Sequence, residues 1–131
     1  MPITATSPAA DAVLLRKEGR AAYLTLNRPK AINALTRDMV LRVRAALDEW
    51  QEDASVDGVV ITGTGDRGLC AGGDIRAVRE AVITGRPREA AEFWRDEYRL
   101  NLAISRYPKP YVAIMDGIVM GGGVGISAHG S

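Results

Sequence analysis

The sequence predicts an α/β fold, because strand and helix patterns alternate along the chain. Short apolar runs of strand type recur between longer segments whose apolar residues repeat with helical spacing. Glycine and proline residues separate these segments where turns are needed. The predicted order is strand, strand, helix, strand, helix, helix, strand, helix, and such alternation is typical of α/β domains.

The first half of the chain carries two strands, a helix and a third strand. Residues 13–15 and 22–26 are predicted strands joined by a turn at Glu18-Gly19. A helix capped by Thr36 extends to about residue 52, and its apolar positions form one stripe. The apolar run at residues 59–61 predicts a strand that is covered on both faces.

The second half contains the glycine-rich parts of the sequence. A loop is predicted over residues 63–73, followed by a helix that Asp74 caps and that ends near residue 83. Pro87 is suited to the first position of a helix that runs to residue 105. Residues 111–115 are an apolar run of buried-strand type, and the triplet Gly121 to Gly123 opens the last helix.

Composition and charge narrow the class of protein. A chain of 131 residues with 47% apolar content suits one domain with a packed core. Its 17 basic and 16 acidic residues give a net charge of +1, so neither nucleic acid nor anionic lipid is an expected partner. No run approaches the roughly 18 apolar residues of a membrane span. We expect residues 1–10 to be a disordered tail rather than a secretory signal. Cys70 is the only cysteine, which fits a reducing, cytoplasmic location.

Two glycine-rich segments precede predicted helices and together indicate an oxyanion hole. The segment Cys-Ala-Gly-Gly-Asp-Ile at residues 70–75 keeps the backbone bare, and so does the triplet at residues 121–123. The first backbone amides of a helix are unpaired and point at a ligand. Taken alone, each segment is also explained by a turn that requires glycine. Two such donors that converge on one oxygen meet the requirement for stabilising a developing negative charge.

Together with Leu-Asn-Arg-Pro-Lys-Ala-Ile-Asn-Ala-Leu at residues 26–35, these segments resemble the crotonase (enoyl-CoA hydratase/isomerase) superfamily. The resemblance implies a spiral of strand-strand-helix turns, of which residues 11–131 form the N-terminal part. It implies that the oxyanion-hole amides belong to Gly73 and Gly122. Coenzyme A is part of the substrate in this family, and no separate cofactor or metal is implied. The positions that fall where the family contacts coenzyme A, largely through the backbone, are Lys30, Ala31, Ala71, Asp74 and Ile75.

One branch of the superfamily is most similar to this sequence. Hydratases carry a glutamate two residues after the glycine triplet, and here that position is Gly125. Residues 120–130, 72–76 and 93–101 are instead similar to 3-hydroxyisobutyryl-CoA hydrolases, whose substrate-contacting glutamate falls on Glu97. The resemblance therefore implies hydrolysis of a short-chain 3-hydroxyacyl-CoA thioester, with 3-hydroxyisobutyryl-CoA of valine breakdown as the expected substrate.

The surroundings of Glu97 can also be argued from helical spacing. Its helical face is otherwise apolar, so the carboxylate is expected in apolar surroundings. Such a group has a partner or a raised pKa, and both are common in active sites. The alternative is a carboxylate at the edge of the stripe that pairs with a nearby arginine. The apolar residues of this face are Ala90, Phe93, Leu100 and Ile104.

The resemblance also implies that the main catalytic carboxylates of the hydrolases lie beyond Ser131. We therefore expect a C-terminal continuation or a second polypeptide to complete the fold, and the isolated chain to be inactive. The superfamily often forms trimers and hexamers, which leaves a homo-oligomer open. Two other functions also remain open. One is an enoyl-CoA hydratase or isomerase, which Gly125 disfavours; the other is a non-catalytic acyl-CoA binding module.

Overall fold

The computed structural model describes residues 11–131, and its elements follow the predicted alternation. The predicted α/β class is therefore confirmed. The tail predicted over residues 1–10 lies outside the described residues. In chain order the elements are β1 (Val13–Glu18), β2 (Ala21–Leu26), a 3-10 turn (Pro29–Ala31), α1 (Arg37–Glu52), β3 (Gly58–Gly63), β4 (Gly68–Cys70), α2 (Ile75–Ile83), α3 (Pro87–Ser105), β5 (Tyr111–Ala113), β6 (Ile118–Val119) and α4 (Gly122–Ala128).

Four strands form the main sheet in the order β1-β2-β3-β5. Strands β1 and β2 are antiparallel across a turn in which Gly19 has a φ of 60°, a value that glycine adopts readily. Strand β3 pairs in parallel with both β2 and β5. Leu24 of β2 and Ile61 of β3 are opposite in register and fully buried. Helix α1 adds a stripe of six buried side chains to the same core: Met39, Val40, Val43, Ala46, Leu47 and Trp50.

Side chains stabilise both ends of α1. Thr36 is the N-cap, as predicted, because its Oγ1 accepts a hydrogen bond from the Met39 N–H at 3.2 Å. At the other end, the Lys109 ammonium donates to the carbonyls of Trp50 at 2.6 Å and Asp53 at 2.7 Å. A cation at this position also interacts favourably with the helix dipole. Lys109 precedes β5, so these bonds join α1 to the edge of the sheet.

A second, two-stranded sheet occupies part of the segment for which we predicted a continuous loop. The loop predicted over residues 63–73 is wrong between Gly68 and Cys70, since these residues form β4 and pair in parallel with β6. Strands of two and three residues are too short to show an alternating pattern. Gly68 is needed here because a Cβ would overlap the backbone of Ile118. The pairing brings the chain before α2 next to the chain before α4.

The last strand of the main sheet is shorter and more exposed than predicted. We expected a buried strand over residues 111–115, but β5 ends two residues earlier and its Val112 is 44% exposed. Tyr111 is buried, and its hydroxyl donates to the Ile126 carbonyl at 2.7 Å. In β3, Val60 is half-buried rather than covered. For β3 and β5, a run of apolar residues in the sequence therefore did not show which faces of the strand are covered by the rest of the protein.

Helices α2 and α3 have the predicted boundaries. Asp74 caps α2, because its Oδ1 accepts hydrogen bonds from the N–H groups of Arg76 at 3.1 Å and Ala77 at 3.3 Å. The buried face of α3 is the predicted one and includes Glu97. Among the helices of residues 11–131, none has both the length and the apolar character needed to span a bilayer.

Candidate active site

The two glycine-rich segments converge beside β4 and β6. The Met120 N–H donates to the Cys70 carbonyl at 3.1 Å, which fixes one segment against the other. Gly72, with a φ of 119°, approaches so closely that a Cβ would lie 3.2 Å from the Met120 carbonyl oxygen and 3.4 Å from the Gly122 nitrogen. A Cβ on Gly123 would overlap the Cys70 carbonyl oxygen. The absence of side chains at Gly72 and Gly123 therefore permits the close contact between the two segments.

The backbone N–H groups of Gly73 and Gly122 have no acceptor within residues 11–131. Gly122 is the first residue of α4, where the helical ladder offers no partner. A Cβ on Gly122 would lie 3.3 Å from the Gly73 nitrogen, so standard bond lengths place the two nitrogens no more than about 6 Å apart. One oxygen about 2.9 Å from each nitrogen can bridge this gap. The structure thus brings together the two donors that the sequence analysis paired.

The Glu97 carboxylate lies beside these two donors. Glu97 is 7% exposed, its Oε1 overlaps the position that a Cβ on Gly122 would take, and its Oε2 lies 3.9 Å from that of Gly73. Burial raises the pKa of the Glu97 carboxyl. No cation pairs with it within residues 11–131, so the alternative of an arginine partner is wrong. A buried carboxyl without a partner is a feature of functional sites.

These groups line a cleft of about 440 Å³ between α3 and the starts of α2 and α4. Apolar and aromatic side chains form most of the wall, with one carboxyl and one carboxamide from α3. Such a composition is typical of a small-molecule site. The lining residues are Gly73, Ile75, Val78, Phe93, Trp94, Glu97, Tyr98, Asn101, Gly121 and Gly122.

Ala71 and Asp74, two of the predicted coenzyme A contacts, use their backbone N–H groups within the fold. Ala71 donates to the Ile32 carbonyl at 2.9 Å, and Asp74 donates to the Leu35 carbonyl at 2.7 Å. These bonds join residues 26–35, the predicted coenzyme A segment, to the loop before α2. A coenzyme A contact at Ala71 or Asp74 would therefore use the carbonyl group or the side chain and not the backbone N–H.

The other predicted coenzyme A contacts are the exposed Lys30 and Ile75 and the half-buried Ala31. Lys30 and Ala31 belong to the 3-10 turn, and Lys30 is exposed. Ile75 is 77% exposed and lines the cleft. An exposed ammonium is suited to the phosphate groups of coenzyme A. Contact of these three residues with coenzyme A stays a prediction.

Sequence analysis missed two residues that hold this loop in place. The side chain of Asn33 is fully buried, accepts from the Arg28 N–H at 2.7 Å, and donates to the carbonyls of Thr64 at 3.0 Å and Gly68 at 3.3 Å. The Arg28 guanidinium donates to the Asp74 carboxylate at 3.2 Å. Asn33 also has a positive φ of 53°, which asparagine tolerates better than most residues. An asparagine in a turn after a strand was the available signal.

Asn101 was also missed, although it lies in the segment 93–101 that carried the resemblance. It follows Glu97 by one helical turn and lines the same cleft. Its Oδ1 is buried and has no hydrogen-bond partner within residues 11–131. Two polar residues at this spacing next to an apolar stripe were the signal that could have found it.

Metal-binding and thiol chemistry find little support in the described part of the chain. Residues 11–131 contain no group of three or more histidine, cysteine, aspartate or glutamate side chains placed to hold a metal ion. Cys70 is fully buried, and this burial raises the pKa of its thiol to about 11. The thiol is therefore protonated near neutral pH and is a poor nucleophile. Cys70 packs against Gly123 instead.

Comparison with known sequences identifies relatives over nearly the whole chain. The enoyl-CoA hydratase/isomerase family matches residues 21–131. The chain is 50% identical over 125 residues to a protein named 3-hydroxyisobutyryl-CoA hydrolase, mitochondrial, from Danio rerio, covering 95% of this chain and 32% of that protein. It is 47% identical over 122 residues to the protein of the same name from Homo sapiens, covering 93% and 31%. The chain thus spans about a third of the length of these curated relatives.

Solved structures show the same arrangement of strands and helices. A carnitinyl-CoA dehydratase from Mycobacterium thermoresistibile superimposes with a TM-score of 0.89 at 57% identity, over 92% of this chain and 35% of that one. An enoyl-CoA hydratase from Rhodobacter sphaeroides 2.4.1 gives a TM-score of 0.88 at 47% identity, over 92% and 36%. The expected crotonase arrangement is therefore confirmed for the part of the fold that the chain covers. By its sequence match and its fold, the chain belongs to the enoyl-CoA hydratase/isomerase (crotonase) family.

Proposed function

We propose that this chain forms the oxyanion-stabilising part of a CoA-thioester hydrolase that acts on a short-chain 3-hydroxyacyl-CoA, with 3-hydroxyisobutyryl-CoA as the favoured substrate. The observation that carries this proposal is the pair of unpaired N–H groups at Gly73 and Gly122 beside the buried Glu97. The names of relatives that are 47% and 50% identical support the choice of substrate.

In the proposed reaction, the thioester carbonyl oxygen accepts hydrogen bonds from Gly73 and Gly122. Water adds to the carbonyl carbon, and the oxygen becomes negative between two donors that the fold has already oriented. The carbon–sulfur bond then breaks, and coenzyme A leaves as a thiol after its sulfur gains a proton. Loss of one such donor raises the barrier by about 3 to 4 kcal/mol.

We assign Glu97 to contact with the acyl group. Its raised pKa favours the protonated carboxyl, which can donate a hydrogen bond, whereas the ionised form would oppose the charge that develops nearby. Activation of water needs a separate base. The family resemblance assigns that base to a carboxylate beyond Ser131, on a C-terminal continuation or a second polypeptide. The greater length of the relatives supports this assignment.

We also propose that coenzyme A lies across the two joined segments described above. Hydrogen bonds hold residues 26–35 against the loop before α2, next to the Gly73 end of the cleft. This assignment uses the residues Lys30, Ala31, Ala71, Asp74 and Ile75, and the exposed Lys30 ammonium would pair with a phosphate group.

A second candidate function is hydration or dehydration of a CoA ester. The two solved structures above, named a dehydratase and a hydratase, favour it at 57% and 47% identity. Gly125 disfavours it, because the residue that stands in place of the hydratase glutamate has no carboxylate.

The test supplies the full-length protein with two substrates. We expect release of free thiol from 3-hydroxyisobutyryl-CoA, and hydration of crotonyl-CoA that is slower by at least about 100-fold, since a carboxylate for water is missing. We expect no turnover from the isolated 131-residue chain. Hydration without thiol release would establish the second candidate. Calorimetry that shows CoA-ester binding without either reaction would establish a non-catalytic binding module.

A further inference from the structure

Asn101 and Gly125 face each other where α3 packs on α4. A Cβ on Gly125 would lie 2.5 Å from Nδ2 and 2.8 Å from Oδ1 of Asn101. About one turn earlier on both helices, Glu97 stands in the same relation to Gly122. Two polar side chains of α3 therefore lie directly against two glycines of α4. Any side chain at position 125 would require the Asn101 carboxamide to move.

The Asn101 Oδ1 is a hydrogen-bond acceptor without a donor. It is buried, and no described group bonds to it. Buried side-chain oxygens are normally paired, so an unpaired one at a cleft needs an explanation. The Asn101 side chain lines the same cleft as Gly73, Gly122 and Glu97, so a group bound there lies next to its carboxamide. A turn of the carboxamide toward the cleft would let a ligand hydroxyl satisfy this oxygen by donating its proton.

The position of Asn101 fits one part of the proposed substrate. Gly125 follows Gly122 by three residues, which places the contact with the Asn101 carboxamide about 5 Å along α4 from the Gly122 residue. In a 3-hydroxyacyl thioester, the hydroxyl oxygen lies about 3 to 4 Å from the carbonyl carbon. The two lengths are similar, so an acyl chain that extends along α4 from the oxyanion donors would bring its 3-hydroxyl group toward Asn101.

We propose that Asn101 is a specificity-determining residue whose Oδ1 accepts a hydrogen bond from the 3-hydroxyl group of the acyl chain. The inference rests on the proposed function, because it takes the acyl group to be bound beside the two glycine amides. An acyl chain without the hydroxyl leaves the buried oxygen unpaired, which penalises that substrate. Gly125 contributes by the absence of a side chain, which gives the carboxamide its space.

The test compares 3-hydroxyisobutyryl-CoA with isobutyryl-CoA, which differs only in lacking the hydroxyl. In the full-length wild-type protein we expect kcat/KM to favour the hydroxy ester by about tenfold or more. Asn101→Leu should lower kcat/KM for the hydroxy ester by about tenfold and keep or raise the value for isobutyryl-CoA, because no oxygen is then left unpaired. Asn101→Ala tests the same point if the leucine variant does not fold.

Ser105→Ala is the matched control. It removes a polar atom from the next turn of α3, where Ser105 Oγ donates to the Leu102 carbonyl at 2.8 Å away from the cleft. This variant should keep the wild-type preference. If Asn101→Leu leaves the ratio of kcat/KM between the two esters unchanged, the assignment is overturned and Asn101 is a packing residue.

A binding experiment tests this inference even if the proposed hydrolase function is wrong. If the wild-type protein hydrolyses neither ester, the hydrolase proposal fails, and calorimetry then decides the role of Asn101. The probes are ketone analogues in which a methylene group replaces the thioester sulfur, with and without the 3-hydroxyl. Tighter binding of the hydroxyl analogue by about tenfold, lost in Asn101→Leu, supports the inference. Equal affinities in the wild-type protein contradict it.

Discussion

The sheet core and the cleft differ in how their polar groups are paired. Around β2, β3 and α1, apolar side chains pack on one another, and the buried Asn33 at the edge of this region has partners for both ends of its carboxamide. Along the cleft, the carboxyl of Glu97, the Oδ1 of Asn101 and the amides of Gly73 and Gly122 lack partners within residues 11–131. Buried polar groups are normally paired, so the unpaired Asn101 oxygen favours the cleft over the core as the surface for a ligand.

The two regions also use side-chain volume differently. In the core, large residues fill the space between the sheet and α1. At the cleft, glycines bring α4 and the loop before α2 so close that added methyl groups would meet neighbouring atoms. Substitutions that change volume should therefore affect stability in the first region and chemistry in the second.

The largest expected effect is on stability and comes from the core. Leu24→Ala removes a fully buried side chain from a central strand, and we expect it to lower the free energy of unfolding by about 2 to 5 kcal/mol. The control is Thr25→Ala on the other face of β2, which should cost less than about 1 kcal/mol. Denaturant titration of the full-length protein measures both. Equal losses would show that the two faces of β2 are equally packed.

The next effect is on activity and comes from the cleft. Gly122→Ala places a methyl group on the Glu97 carboxylate and next to the Gly73 nitrogen, and we expect kcat for thiol release to fall by about 10² to 10³. The free energy of unfolding should change by less than about 1 kcal/mol, because Glu97 ends in a flexible carboxyl that can move. Val124→Ala, on an exposed position of α4, is the control. Alanine keeps the backbone N–H, so wild-type turnover in Gly122→Ala would show that the added methyl group does not obstruct the two donors.

The contrast between the regions also explains how far the sequence predicted the structure. Helices α1 and α3 were predicted with their ends, because they are long, periodic and bounded by Thr36 and Pro87. The short strands β4 and β6 were not predicted, because their pairing depends on a tertiary contact between segments about 50 residues apart. The exposure of Val112 was missed for a related reason, since a local run cannot show what covers a strand.

In the cleft, the features visible in the sequence are those that depend on the backbone or on a helical pattern. Glycine at positions 73 and 122 is visible in the sequence, and so is the apolar face that buries Glu97. The role of Asn33 was not visible, because its carbonyl partners lie 31 and 35 residues further along the chain. That Asn101 lacks a partner was equally hidden, since it depends on how α4 packs against α3.

The smallest expected effect concerns the pH dependence of stability and uses Glu97. Burial raises the pKa of this carboxyl in the folded protein, so the folded state binds the proton more tightly than the unfolded chain. The stability that this proton contributes is fully present below the unfolded-state pKa, about 4.3, and is lost as pH rises through the folded-state pKa. Glu97→Gln does not titrate. The variant should therefore lose less stability than the wild-type protein between pH 4 and pH 8.

Denaturant titration at pH 4 and pH 8 measures this difference directly. Glu49→Gln on the exposed face of α1 is the control, and it should reproduce the wild-type change between the two pH values. A wild-type protein that gains as much stability from pH 4 to pH 8 as Glu97→Gln would mean that the carboxyl has a partner in the full-length protein. A larger stability for Glu97→Gln at pH 8, together with lower activity, would show that the cleft keeps an unpaired acid at a cost to folding, which the paired polar groups around the sheet core do not impose.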